Sequence, residues 1–217
     1  VDKLNFEHTQ PLTAGKTIRF EQRNRVIAEW AITIVPDRAP VVDFVQEPTS
    51  TARQALRLNF SASDDYGILA AHAHIRRADS DETMLLELPL PQNERTNIRE
   101  TSFHDTTPHP WAGLPVIIQI EAVDHLAQSG KSTELELILP ERDFKHPVAR
   151  EIVEQRRVLN LAPDRRSRVA ESLSRLSARP SAYFEDTTAF LLLRSAVWRL
   201  RNVGSEPGGD VKISGLL

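Results

Sequence analysis

The stretch Leu56-Arg57-Leu58-Asn59-Phe60-Ser61-Ala62-Ser63-Asp64-Asp65-Tyr66-Gly67-Ile68-Leu69-Ala70-Ala71-His72-Ala73-His74-Ile75 decides the fold. Leu56, Leu58, Phe60 and Ala62 alternate with polar residues, and Leu69, Ala71, Ala73 and Ile75 alternate again after the Asp-Asp-Tyr-Gly interruption. An extended chain points successive side chains to opposite faces, so a period of two sets an apolar face against a core and leaves a polar face to water. Asp side chains accept local backbone N–H bonds and Gly67 supplies a left-handed position, so the interruption reads as a turn between two strands.

Outward from this pair the same signal repeats. A first strand is expected near Val42 and Phe44, a further run holds Met84, Leu86 and Leu88, and a weak one covers residues 101–104. Val116, Ile118, Ile120 and Ala122 form a strong run, and Leu135, Leu137 and Leu139 follow the turn at Gln128-Ser129-Gly130. Roughly seven strands in about 100 residues is the count of an immunoglobulin-like or fibronectin-like β-sandwich. It is placed at residues 39–141.

Residues 1–38 are expected to be a partial β domain, its last strands and a linker. Ile18 and Phe20, then Val26, Ala28, Trp30, Ile32 and Ile34, alternate about Gln22-Arg23-Asn24, a hairpin too small to fold alone. Pro36-Asp37-Arg38-Ala39-Pro40 reads as the linker, because paired prolines withhold ladder hydrogen bonds. Over residues 142–217 the period changes to about 3.6, predicting three α-helices. Pro147 suits a first turn, with Val148, Ile152 and Leu159 on one side, Arg150 and Glu154 an i,i+4 pair, and an end near Asn160. A second helix starts around Pro163-Asp164, carries Val169, Leu173 and Leu176, and is stopped by Pro180. Asp186 is the expected cap of a third, with Phe190, Leu193, Val197 and Leu200 on its apolar face, before a loop at residues 204–209. The fold class is thus mainly β with a helical tail.

The chain has 217 residues, about 40% apolar and 26% charged, with a formal net charge of -3. Lys and Arg spread along the whole sequence argue against the one-sided basic surface of a nucleic-acid binder. Without cysteine there is neither a disulfide framework nor a thiolate metal site, and the redox compartment stays open. No apolar run approaches the roughly 18 residues needed to span a bilayer. Val1 at the start and the apolar residues 211–217 read as the ends of an excised piece, with any membrane anchor outside it.

Candidate chemistry is sparse. Asp64, Asp65 and Asp124 offer oxygens to Ca²⁺ if their loops meet, against the simpler reading that they close turns. His72 and His74 share one strand face, a His-x-His start for zinc that needs a third ligand, from His104 or His109 if the fold brings either near. Ser129-Gly130-Lys131-Ser132 imitates the end of a P-loop, but His125 stands where that motif needs a glycine, and a strand follows rather than a helix. Asn59-Phe60-Ser61 is a glycosylation sequon, relevant only in a eukaryotic secretory setting. G-x-S-x-G, H-E-x-x-H and G-x-G-x-x-G are absent, and no catalytic residue, cofactor or metal is assigned. In His109-Pro110-Trp111-Ala112-Gly113-Leu114-Pro115, Trp111 either faces a partner from a binding loop or plugs one end of the sandwich, and the plug is the reading adopted. Arg156, Arg157, Arg165, Arg166 and Arg168, interspersed with Glu151, Glu154 and Glu171, read as a solvated face of ion pairs.

The order of Pro36-Asp37, Pro40, Asp64-Asp65-Tyr66-Gly67, Leu88-Pro89-Leu90-Pro91, His109 to Pro115, Leu139-Pro140-Glu141-Arg142, Phe144, His146-Pro147 and Glu154-Gln155-Arg156-Arg157 resembles the DUF4175 family, from about Pro11 to Leu217. That resemblance implies a large alphaproteobacterial inner-membrane protein with hydrophobic helices near its N terminus and a long extracytoplasmic part. It carries over no activity and no catalytic residue. At His125-Leu126-Ala127-Gln128-Ser129-Gly130 the sequence departs from the Asp or Ala and the Gly that the family more often shows in this turn.

The expected function is a non-catalytic structural or protein-interaction module of a membrane-anchored protein, this part periplasmic. Its partner is expected to be a protein, either an envelope component or a second copy, with membrane contact only through segments outside this piece. The alternatives are a carbohydrate or cell-wall binding module built on Trp111 and a calcium-stabilised adhesion-type domain.

Overall fold

The structure is a computed structural model that describes residues 9, 12, 14–178 and 187–202. The expected helix stop at Pro180, the cap at Asp186, the loop at 204–209 and the apolar residues 211–217 lie outside the described residues. The chain divides into two compact units, Val1–Arg38 and Ala39–Leu217.

In the first unit, β1 (Thr17–Gln22) and β2 (Arg25–Ala31) pair antiparallel. Arg23 and Asn24 both have positive φ, 49° and 63°. Two left-handed residues make the turn whose twist matches that of paired strands. Across the ladder Ile18 faces Trp30 and Phe20 faces Ala28; a bulge then leaves Ile27 without an opposite residue before Val26 meets Glu21. Ile18, Phe20, Val26, Ile27 and Trp30 are all exposed.

The second unit contains β3 (Val41–Ser50), β4 (Leu56–Ser63), β5 (Ile68–Arg76), β6 (Thr83–Glu87), β7 (Asn97–His104), β8 (Pro115–Asp124), β9 (Ser129–Lys131) and β10 (Leu135–Ile138). One sheet has the order β3-β4-β7 and the other β10-β8-β5-β6, with β9 also on β8. The chain changes sheet after β4, again after β6 and again after β7. Hairpin neighbours alone would not do this; the crossovers make a two-layer sandwich of immunoglobulin-like or fibronectin-like type. Leu56, Leu58 and Phe60 from one sheet and Ile75, Ile118 and Ile120 from the other fill a single core.

The alternation read in β5 needs one correction. Ile68 is buried and Leu69 is exposed, because a bulge between Ile68 and Ala70 shifts the pleat before the regular series at Ala71, Ala73 and Ile75 begins. The final strand is interrupted between β9 and β10, yet the β8 ladder stays satisfied. Ser132 N–H donates to the Ile120 carbonyl at 2.8 Å, and Ser132 Oγ accepts from Ile120 N–H at 2.9 Å. At Gly130 a Cβ would stand 1.7 Å from the Pro40 carbonyl oxygen, so only glycine lets this strand pass the start of β3. β3 is an edge strand and tolerates Pro48.

Helices α1 (Pro147–Leu161), α2 (Arg166–Ser177) and α3 (Thr187–Asn202) follow, with a 3-10 turn at Pro163–Arg165 leading into α2. Leu159, Val169, Leu173, Leu193, Val197 and Leu200 meet in a second core. These are the positions at which the helical period set apolar residues. Glu154 pairs with Arg157, 3.4 Å away, rather than with Arg150.

Phe60 is fully buried, whereas Phe103 on the adjacent strand is exposed. Phe60→Ala is expected to lower stability by about 3–5 kcal/mol. Phe103→Ala should stay within about 0.5 kcal/mol of the unaltered chain. Urea unfolding of both variants measures the difference.

Candidate functional site

Of the carboxylates singled out in the sequence, Asp64 and Asp124 close their own loops, while Asp65 is exposed in the turn. Asp64 Oδ2 accepts from the backbone N–H of Tyr66 at 3.0 Å and of Gly67 at 2.6 Å, and Gly67 has φ +107°. Asp124 Oδ1 accepts from Leu126 and Gln128 N–H, both at 2.8 Å. Asp124 stands opposite Ile68 across β5 and β8, so the two loops share one end of the sandwich. Among the described residues, however, Asp124 does not come within ion-sharing distance of Asp64 and Asp65 together.

The histidines disperse as well. His72 and His74 lie on β5, while His104 is on β7 in the opposite sheet, bonded to Ser102 Oγ at 3.0 Å. His109 packs edge-on against Trp111, with ring centroids 4.8 Å apart. Neither is the third partner expected for the His-x-His pair. Ser129–Lys131 is strand β9, which removes any P-loop geometry. Asn59 donates to Gln46 Oε1 at 2.9 Å and accepts from Thr101 Oγ1 at 2.6 Å.

Trp111 is 3% exposed and belongs to the sandwich core. It plugs the sandwich, so the alternative that offered it to a partner or a glycan loses its exposed aromatic platform. The loop that carries it serves a second purpose, which the sequence did not disclose. Its carbonyl groups face α1: Asn160 Nδ2 approaches the Pro110 oxygen at 3.4 Å, and Arg156 Nη2 approaches the Ala112 oxygen at 3.5 Å. Arg77, at the end of β5, donates to the Asn160 carbonyl at 3.0 Å while its guanidinium also holds Asp79. The expected solvated face is therefore wrong for Arg156, which is buried. Burial pulls its guanidinium below the ordinary value, against the attraction of Glu141.

Glu141, just after β10, completes this seam. It pairs with Arg157, and its other carboxylate oxygen lies against Gly113, where a Cβ would be 2.2 Å from Glu141 Oε2. Gly113 has φ +78°, a backbone conformation that strains any side chain, and a Cβ there would also push the Glu141 carboxylate aside. Beside the seam opens a cleft of about 870 Å³ between the sandwich end and α1, with Leu56, Leu139 and Phe144 as apolar lining and Arg142, Arg150 and Glu154 at its charged walls. Arg142 donates to Thr107 Oγ1 at 2.9 Å and pairs with Asp105 at 3.5 Å. Hydrogen bonds from Thr107, aided by Arg142, hold the Asp105 carboxyl below the usual carboxylate range. The cleft lining contains the hydroxyls of Thr49 and Ser50 but no histidine, so no imidazole base stands beside a hydroxyl there. Its geometry suits holding charged groups.

The fold and the seam define a β-sandwich with a helical segment tied to one end. The sequence matches the family described as a domain of unknown function (DUF4175) over residues 2–210, and the chain belongs to that family. No curated protein matches it.

Two outcomes follow from this geometry. Arg157→Met leaves the Glu141 carboxylate without its cation, and should cost about 1–3 kcal/mol and raise amide exchange in α1 ahead of the sandwich strands. Hydrogen exchange measures this. Burial lowers the pKa of His104 and His109, in the latter case opposed by Glu82 and reinforced by Arg156. The unfolded chain then binds these protons more readily than the folded one. The associated stability is complete above about pH 6.5 and is lost as pH falls below it. Thermal unfolding between pH 7 and 5 should show the decline, and the double variant His104→Gln/His109→Gln should flatten it.

Proposed function

We propose that this chain is a protein-interaction module of a larger, membrane-anchored periplasmic protein. The observation that carries the interaction reading is the placement of tryptophan. Of three tryptophans in the sequence, one is the plug, while Trp30 on β2 is 55% exposed and Trp198 on α3 is 64% exposed. Tryptophan is strongly enriched at the energetic centres of protein interfaces, where it buries a large rigid surface at small entropic cost. On α3, Leu191 is 61% exposed and lies seven residues before Trp198, so the two share one face two turns apart. A face of this kind suits an apolar groove on a partner.

The membrane and periplasmic setting rests on the family resemblance. No described helix is long and apolar enough to cross a membrane, and anchoring belongs in this proposal to other parts of the full-length protein. The reading leaves catalysis out, in keeping with the absence of recognised catalytic motifs in the sequence.

A photo-crosslinking residue placed at position 198 of the full-length protein, in its native membrane, tests the reading. The expected result is one discrete adduct, either to another envelope protein or to a second copy, that weakens when Leu191 is changed to Ala. The same probe at Glu171, an exposed polar position on α2, serves as the control. Equal labelling at the two positions, or none at 198, overturns the proposal.

A further inference from the structure

The outer face of the β6-β5-β8 sheet carries a set of donors that no single strand displays. His72 stands opposite Glu87 on β6 and opposite Glu121 on β8. Residues directly opposite across a ladder share a face, so Glu87, His72 and Glu121 form one row across three strands. His74, two residues further along β5, is on the same face. Its Nε2 lies 2.9 Å from Glu121 Oε2, and the two atoms meet without hydrogen-bond alignment.

We propose that His72, His74 and Glu121 form a binding site for a divalent transition-metal ion of the zinc class, with Glu87 as a fourth donor. Two imidazoles and one carboxylate are a donor set zinc accepts, with a position left for a further ligand. At Zn–N and Zn–O distances of about 2.0–2.1 Å, tetrahedral neighbours lie roughly 3.3 Å apart. His74 and Glu121 already stand near that spacing. In the present side-chain arrangement His72 is not within bridging distance of both. Sharing one ion with them requires a different His72 rotamer, directed toward Glu121, its cross-strand neighbour.

The surrounding charges set what such a site must overcome. Lys131 on β9 sits 3.9 Å from Glu121 Oε1 and competes with a cation for that carboxylate. Arg76, also on this face, is engaged by Glu134 at 2.9 Å. The bound ion would tie β6, β5 and β8 together through side chains alone. This assignment is independent of the tryptophan-based interaction reading, and neither depends on the other.

Calorimetric titration of Zn²⁺ into the chelator-treated chain tests it. One equivalent is expected to bind; His72→Gln or His74→Gln abolishes the event, and Glu121→Gln weakens it. His104→Gln leaves it unchanged. Lys131→Ala strengthens it, because a competing positive charge is removed. Co²⁺ in place of zinc should give visible d–d absorption that the same variants lose. These side chains face outward, and far-UV circular dichroism checks that each variant folds. Protection from diethyl pyrocarbonate in the unaltered chain supplies a reading without mutation, with zinc expected to shield His72 and His74 together. Absence of zinc binding, binding that survives both histidine variants, or shielding of other histidines alone overturns the assignment.

Discussion

Trp111 has to lie inside the sandwich for the helices to dock where they do. Its ring closes the end of the core between the two sheets, and that fixes the backbone from His109 to Leu114 at the rim. The Pro110 and Ala112 carbonyls on this backbone then face Asn160 and Arg156 of α1. One buried aromatic therefore ends the β domain and presents the surface that orients the helical one. If the ring swung out, the core would lose a large apolar side chain and α1 would lose its acceptors together.

The two cores are joined chemically by a different kind of contact from those within them. Each core is apolar and made from side chains at strand or helix period. Between them lie Arg77, Glu141, Arg156, Arg157 and Asn160, a polar seam in which carbonyls and carboxylates meet guanidinium groups. Such contacts are directional and stabilise less per unit area than apolar packing, because desolvation offsets much of the attraction. They set the angle of α1 more than they add to stability.

Large exposed apolar residues occur along the whole chain, Val41, Leu85, Phe103 and Ile138 of the sandwich among them. The β1–β2 hairpin shows Phe20, Ile27 and Trp30, and α3 shows Leu191 and Trp198, while the sandwich keeps most of its large apolar residues inside. A hairpin of two strands buries little by itself.

The sequence by itself determined the elements and their buried faces. Alternation located the strands, and a period near 3.6 located the helices with Val169, Leu173, Leu193 and Val197 on their inner sides, because these patterns follow from local backbone geometry. It misplaced Leu69, since a bulge shifts the pleat by one residue and leaves no local signature in that run. It read Arg156 as solvated, because helical spacing tells which residues share a face but not that a second face meets a loop some 44 residues away in the chain. Tertiary structure alone decided that Asp124 does not join Asp64 and Asp65 within reach of one ion, that His104 and His109 do not join the His-x-His pair, and that Glu121 and Glu87 come beside it. Those neighbours are set by strand order and register across the whole sheet, and no spacing along the chain encodes them.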